Sequence, residues 1–326
     1  MAVRAGGATD PASRIERLMA GQERGFRDTW LRAIAVIRDG RTLDDLADLL
    51  AQGRFEEALD RLEEAAALLG SFAGEALAAA ARDTAVFLSS ALTVTVAFDG
   101  TNVRAVQAMQ SNRLRLIREF TADQRDTLRQ AMTRGIEEGM NPRDQARLFR
   151  DSVGLTARQE AAVANFRRLL SGQARLDGLP SMQVLDRQLR DRRFDRTVER
   201  AIRRGDPLTP EQVDRMVSRY RERYIAYRAE TIGRTEALHS AHQGTEEMYL
   251  QAIESGAVEP SALRRKWVSA RDKRVRDSHA RMNGQERMIG EEFRSDSGPI
   301  RYPGDPDAPA EETVQCRCVL STRLEG

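Results

Sequence analysis

Residues 224–252 read YIAYRAETIGRTEALHSAHQGTEEMYLQA, residues 265–285 read RKWVSARDKRVRDSHARMNGQ, and residues 291–318 read EEFRSDSGPIRYPGDPDAPAEETVQCRC. The change of texture between the first stretch and the other two decides the fold. The first has no proline, and it continues a run in which Val213, Val217, Tyr220 and Tyr224 recur at helical spacing, so a helix is expected from Thr209 to about Gly256. After about residue 256, Gly284, Gly290, Gly298, Pro299, Pro303, Gly304, Pro306 and Pro309 crowd around short apolar pieces, the pattern of a loop-rich α+β module. Short strands are expected at residues 265–269, 287–289 and 313–320.

Upstream, the composition favours packed amphipathic helices. Only 5% of the 326 residues are aromatic, while 40% are hydrophobic and 31% charged, too charged for one unbroken core. Helix starts are signalled at Thr42, at Thr121 with Gln124, and at Thr156 with Gln159. The last two pairs have the capping-box spacing. Asn141-Pro142 and Thr209-Pro210 place a cap before a first-turn proline. Leu59, Leu62, Ala66 and Leu69 form a core stripe, and Gly100, Gly139, Gly154, Gly172, Gly178 and Gly205 fall where helices should stop. The fold class is therefore a mainly α N-terminal region with a small C-terminal α+β domain: a disordered lead-in over residues 1–14, a helical region over 15–205, and the α+β domain over 206–326. Residues 84–98 are uncharged but contain Ser89, Ser90, Thr93 and Thr95 and are shorter than a membrane span, so they read as a buried helix running into an extended turn, and no membrane partner is expected.

The net charge of +2 hides a gradient, from −5 over residues 1–100 to +10 over 101–235 and −3 over 236–326. Lys266 and Lys273 are the only lysines, so almost every cation is a guanidinium suited to bidentate contacts with carboxylate or phosphate. Residues 186–204 concentrate the surplus. A basic amphipathic helix is expected there, with Leu189, Phe194, Val198 and Ile202 as its apolar stripe. Arg187, Arg190, Arg193, Arg196, Arg200, Arg203 and Arg204 make either a solvated face or a surface for double-stranded DNA or an acidic partner.

Cys316 and Cys318 are the only cysteines and are poorly placed to bridge to each other. With His279, joined by His239 or His242, they compose an S/N donor set for structural zinc; buried free thiols packed as small hydrophobes, with a hydrogen-bonded histidine, are the plainer reading. Asp272, Asp277 and His279 are a candidate site for metal-dependent phosphodiester cleavage. No phosphate-cradling P-loop, G-x-S-x-G elbow or H-E-x-x-H is present, which removes the main support for ATPase, serine hydrolase and zincin readings. The adjacent pairs Glu246-Glu247, Glu291-Glu292 and Glu311-Glu312 read as solvated surface and not as a catalytic dyad of toxin type.

Taken in order, Arg234-Thr235-Glu236, Trp267, Asp272, Val275-Arg276, His279, Asn283-Gly284, Phe293, Pro303-Gly304-Asp305 and Cys316-Arg317-Cys318 resemble the Mu F-like phage head morphogenesis proteins. The likeness extends upstream through residues 154–159, so that it spans about residues 120–320. The resemblance implies a minor capsid protein without enzymatic turnover that acts in procapsid assembly, associates with the portal, lies in the capsid interior, passes through the host cytoplasm during assembly, and contacts packaged DNA. The competing reading is a metal-dependent enzyme, nuclease-like or toxin-like, delivered with the genome. Within the motif, Arg234 and Arg276 are expected to fork onto carboxylates such as Glu236 and Asp272.

Overall fold

Helix starts set the architecture of the computed structural model, which describes residues 11–173 and 177–325. The helices are α1 (Pro11–Asp39), α2 (Leu43–Ala51), α3 (Phe55–Ala58), α4 (Arg61–Ala91), α5 (Val103–Glu137), α6 (Pro142–Ser152), α7 (Ala157–Leu170), α8 (Asp195–Arg204) and α9 (Pro210–Glu254). Beyond them come β1 (Leu263–Val268), α10 (Asp277–Met282), β2 (Glu286–Met288), β3 (Phe293–Ser295), β4 (Gly298–Ile300), α11 (Ala310–Thr313) and β5 (Val319–Leu324). The mainly helical chain with a small C-terminal α+β region is therefore observed.

Four of the five helix starts are realised by side-chain caps. Thr42 and Thr156 form full capping boxes, Asn141 accepts from Asp144 N–H, and Thr209 and Gln212 bond each other's backbone N–H. The fifth is not a start: Thr121 and Gln124 lie inside the continuous helix α5. Gln124 is buried because its amide is used across space, accepting from Gly154 N–H at 2.8 Å and donating to the Leu155 carbonyl at 3.3 Å. Of the expected lead-in, residues 1–10 lie outside the described residues. Residues 11–14 are the first turn of α1, where Pro11 fits a first helical position and Arg14 is buried on Asp83.

The described chain forms two compact units. One comprises the chain up to Arg32, Ala66–Arg118 and everything from Glu230; the other comprises Ala33–Ala65 and Glu119–Ala229. In the first, Ile15 and Met19 of α1 share a core with Leu238, Trp267, Met282, Phe293, Cys316 and Leu320. A second cluster joins Ala81, Leu88, Met248, Tyr249 and Leu263. In the second unit Phe166 stacks on Tyr220 with centroids 4.1 Å apart, and Phe149, Val163 and Val217 are buried.

Helix α4 lies in an apolar stretch, residues 55–91, long enough by length and composition to cross a membrane. Half of that window is buried inside the molecule. Its end behaves as its sequence predicts: after Ala91 the chain extends, and Ser89 Oγ bonds both N–H and C=O of Val96.

The strands are antiparallel throughout. β1 is central between β2 and β5, with Arg265 opposite Arg287 and Thr322, and β3 pairs with β4. The β3–β4 hairpin was not anticipated from sequence. The strand expected at 313–320 begins only at Val319, because residues 314–318 are held out of the sheet by the contacts described next. The helix expected over 186–204 is limited to α8. Asp191 takes its place upstream: its carboxylate accepts from Arg193 N–H and opens a single 3₁₀ turn, a local side-chain bond that competes with helix.

A candidate metal centre at the Cys-x-Cys loop

The ring of His279, projecting from α10, is the point on which both cysteines converge. Its Nδ1 lies 3.4 Å from Cys316 Sγ and 3.4 Å from Cys318 Sγ, and its Nε2 lies 2.8 Å from Glu312 Oε2 on α11. The three side chains are between 1 and 2% exposed, and their donor atoms all lie within 4.8 Å of one another. Among the described residues this is the one His/Cys/Asp/Glu group with metal-holding spacing. The Trp267 ring packs edge-on against His279 at 5.3 Å, which fixes the imidazole plane.

The motif residues around it hold the loop in place. Thr235, on α9, accepts from the Gln315 backbone N–H at 3.1 Å, and Thr231 accepts from the Gln315 amide at 2.6 Å. Gln315 has φ of +56°, a left-handed backbone unusual for a residue with a Cβ. That bend turns Cys316 and Cys318 toward His279. Arg276 donates to the Val314 carbonyl, and Arg317 forms a two-pronged bond to Asp272. Arg317, with the Arg274 backbone N–H, holds the Asp272 carboxyl well below the usual carboxylate range. Residues drawn from positions 231 to 279 thus grip the five consecutive residues 314–318.

The ionisation balance of the centre follows from the same contacts. A thiol–thiolate hydrogen bond between the cysteines holds Cys316 well below the ordinary thiol range and pushes Cys318 up. At Glu312 burial opposes the charge, but hydrogen bonds from Ser297 and Ser278 and the neighbouring His279 outweigh it, and the carboxyl stays below its usual range.

The other sequence-derived candidates fall elsewhere. His239 is buried with Nδ1 on the Gly304 carbonyl at 3.2 Å, outside the sulfur cluster. His242 has both nitrogens satisfied, by the Leu238 carbonyl and by Leu320 N–H. Burial lowers the two imidazoles to about 3 and about 4. Asp272 and Asp277 do not join His279 in a metal-holding group. The Arg234–Glu236 pair does not form, since positions two apart on a helix do not face each other. Arg234 instead meets Glu23 at 3.3 Å, and Glu236 is bound by Arg115. Arg276 serves the loop carbonyl in place of Asp272.

The expected solvated glutamate pairs need correction too. Glu246 is ion-paired with buried Arg265 at 2.8 Å, Glu247 with Arg104 at 3.0 Å, and Glu312 backs His279. Arginine partners are what make the burial of Glu246 and Glu247 tolerable. Arg265 was missed in the sequence, and Glu246 and Glu312 were read as solvated; the one available signal is that Arg265 lies two residues before Trp267 and Glu312 four before Cys316.

In α8, Arg196, Arg200, Arg203 and Arg204 are exposed and have no ion pair with a described residue. Arg190 and Arg193, by contrast, are tied to Asp195 and Asp191, and Arg187 is half-buried.

Compared with known families, residues 192–321 match the one described as phage Mu protein F like protein. The match covers less than half of the chain, which over that stretch is similar to the phage Mu F-like proteins. The Mu F-like match covers the whole Cys-x-Cys clamp and starts at Arg192, so residues 120–191, which the sequence also suggested, lie outside it. No curated protein and no solved structure matches the chain.

Proposed function

We propose that this protein is a minor head component of a tailed phage or phage-like particle that acts in procapsid assembly by docking on the portal. It lies in the capsid interior of the virion, and in the host cytoplasm while particles assemble. Residues 206–326 serve as the Mu F-like module, and the helical region 15–205 supplies the partner-facing surface. The observation that carries this reading is the row Arg196, Arg200, Arg203 and Arg204. At i, i+4, i+7 and i+8 they share one side of α8, exposed and without ion pairs to described residues. Four fork-shaped cations so placed suit the carboxylates of an acidic protein surface. The motif residues Thr235, Asp272 and Arg276 are spent on internal ties, which suits a binding protein more than one that turns over substrate.

The test is to reverse the row, R196E/R200E/R203E/R204E, and count copies in purified procapsids by quantitative mass spectrometry. At least a tenfold loss of incorporation with an unchanged melting temperature is expected; full incorporation overturns the role of the row. Packaged double-stranded DNA is the other anion to be measured. If the row instead contacts four phosphates, the logarithm of the DNA affinity should fall with the logarithm of salt at a slope of about −3.6. Loss of that slope in the variant would reassign α8 to the genome.

A further inference from the structure

We propose that His279 Nδ1, Cys316 Sγ and Cys318 Sγ bind one zinc ion per chain, with Glu312 orienting the imidazole from its far side. Zinc bonds sulfur at about 2.3 Å and imidazole nitrogen at about 2.05 Å, so at a tetrahedral angle the two donors stand about 3.6 Å apart. Both N···S separations are 3.4 Å. A single ring nitrogen can accept from only one thiol, yet both sulfurs stand at the same distance from it.

The imidazole is set up as metal-binding histidines are. A ligating histidine gives its second N–H to a carboxylate, which fixes the tautomer and raises ligand basicity; Glu312 stands 2.8 Å from Nε2, and Ser278 donates to the same carboxylate oxygen at 3.0 Å. At the sulfurs, the Cys318 backbone N–H points to Cys316 Sγ at 3.4 Å. Two thiolates neutralise the dication, so the ion can be buried without net charge. Each zinc displaces the two thiol protons, Zn²⁺ + 2 RSH giving Zn(SR)₂ + 2 H⁺. The soft S₂N set selects zinc over magnesium or calcium, and the fourth position falls to a water, because no further His, Cys, Asp or Glu of the described residues shares the cluster.

This inference does not depend on the head-assembly reading and is tested without particles. The full chain, purified without a metal-affinity step, is analysed for zinc and melted before and after chelation. The apo protein is then titrated with Co²⁺. About one zinc per chain, a lower melting temperature after chelation, and intense near-ultraviolet thiolate-to-cobalt bands saturating at one equivalent are expected. E312Q should keep the bands but bind 10–100-fold more weakly, whereas C316S/C318S should abolish them. A folded wild-type chain that carries no zinc and develops no thiolate–cobalt bands overturns the proposal, as does full metal retention by C316S/C318S.

Discussion

Arg265 is 1% exposed, and its guanidinium bonds Glu246 Oε2 at 2.8 Å, the carbonyls of Met288 and Arg301, and the carbonyl of Glu291. It ties β1 to the loop after β2 and to the residue after β4. Burial pushes the Glu246 carboxyl up despite this partner. Removing the cation alone leaves a buried carboxylate unpaired, so R265A should cost about 3–5 kcal/mol by urea unfolding; R265M/E246L should cost clearly less than the sum of the single changes. His239 and His242 make a second residue-scale prediction. Their imidazoles sit near 3 and 4 when folded against 6.5 as the ordinary value. Between those limits the unfolded chain takes up protons that the folded chain refuses, so stability must fall as pH is lowered through that window. Going from pH 7 to pH 5, about 2 kcal/mol should be lost per histidine. H242Q should roughly halve the drop, and an equally steep profile in that variant would refute the assignment. At this scale the sequence named His279, Cys316 and Cys318 but not Glu312 or Arg265: one arginine among fifty carries no local mark of burial.

Two glycines of α9 set how closely elements pack within their unit. A Cβ on Gly244 would stand 2.3 Å from the Leu77 carbonyl of α4, and one on Gly233 would stand 2.7 Å from the Glu23 carbonyl of α1. Backbone cannot yield as a side-chain tip can, so G244A should destabilise by about 1–3 kcal/mol or more. Gly74, in α4, has open space around its Cα, and G74A should be neutral or stabilise by up to about 1 kcal/mol. Thermal melts of the two variants, moved in opposite directions, would establish the contacts; equal shifts would remove them. The caps at Thr42, Asn141, Thr156 and Thr209 were legible because a cap is a bond between residues three apart. Thr121 and Gln124 have the same spacing, but α5 runs through them and Gln124 is drawn to the loop at Gly154 instead.

At the scale of the whole molecule, the core around the candidate metal centre includes Ile15 and Met19, some 300 residues before Cys318. Residues 206–326 expressed alone should therefore lack a cooperative unfolding transition by circular dichroism, and adding a peptide spanning residues 11–32 should partly restore it. A fragment that melts as sharply as the full chain would show that α1 is dispensable to that core.

What the sequence determined by itself was whatever depends on neighbours in the chain. This includes the four capped helix starts, the helical stripes, the change to short strands after residue 256, and the ordered motif that resembles the Mu F-like proteins. Tertiary structure alone decided which partner each charge takes and which donors face one another. Arg234, Glu236, Arg276 and Asp272 are near in sequence yet each binds a residue from another element. Glu312 and Thr235 reach the Cys-x-Cys loop only once α9, α10 and α11 are packed. The reason is physical: helix propensity and capping act over one turn of chain, whereas burial makes every polar group find a partner through space, wherever the packed core happens to place one.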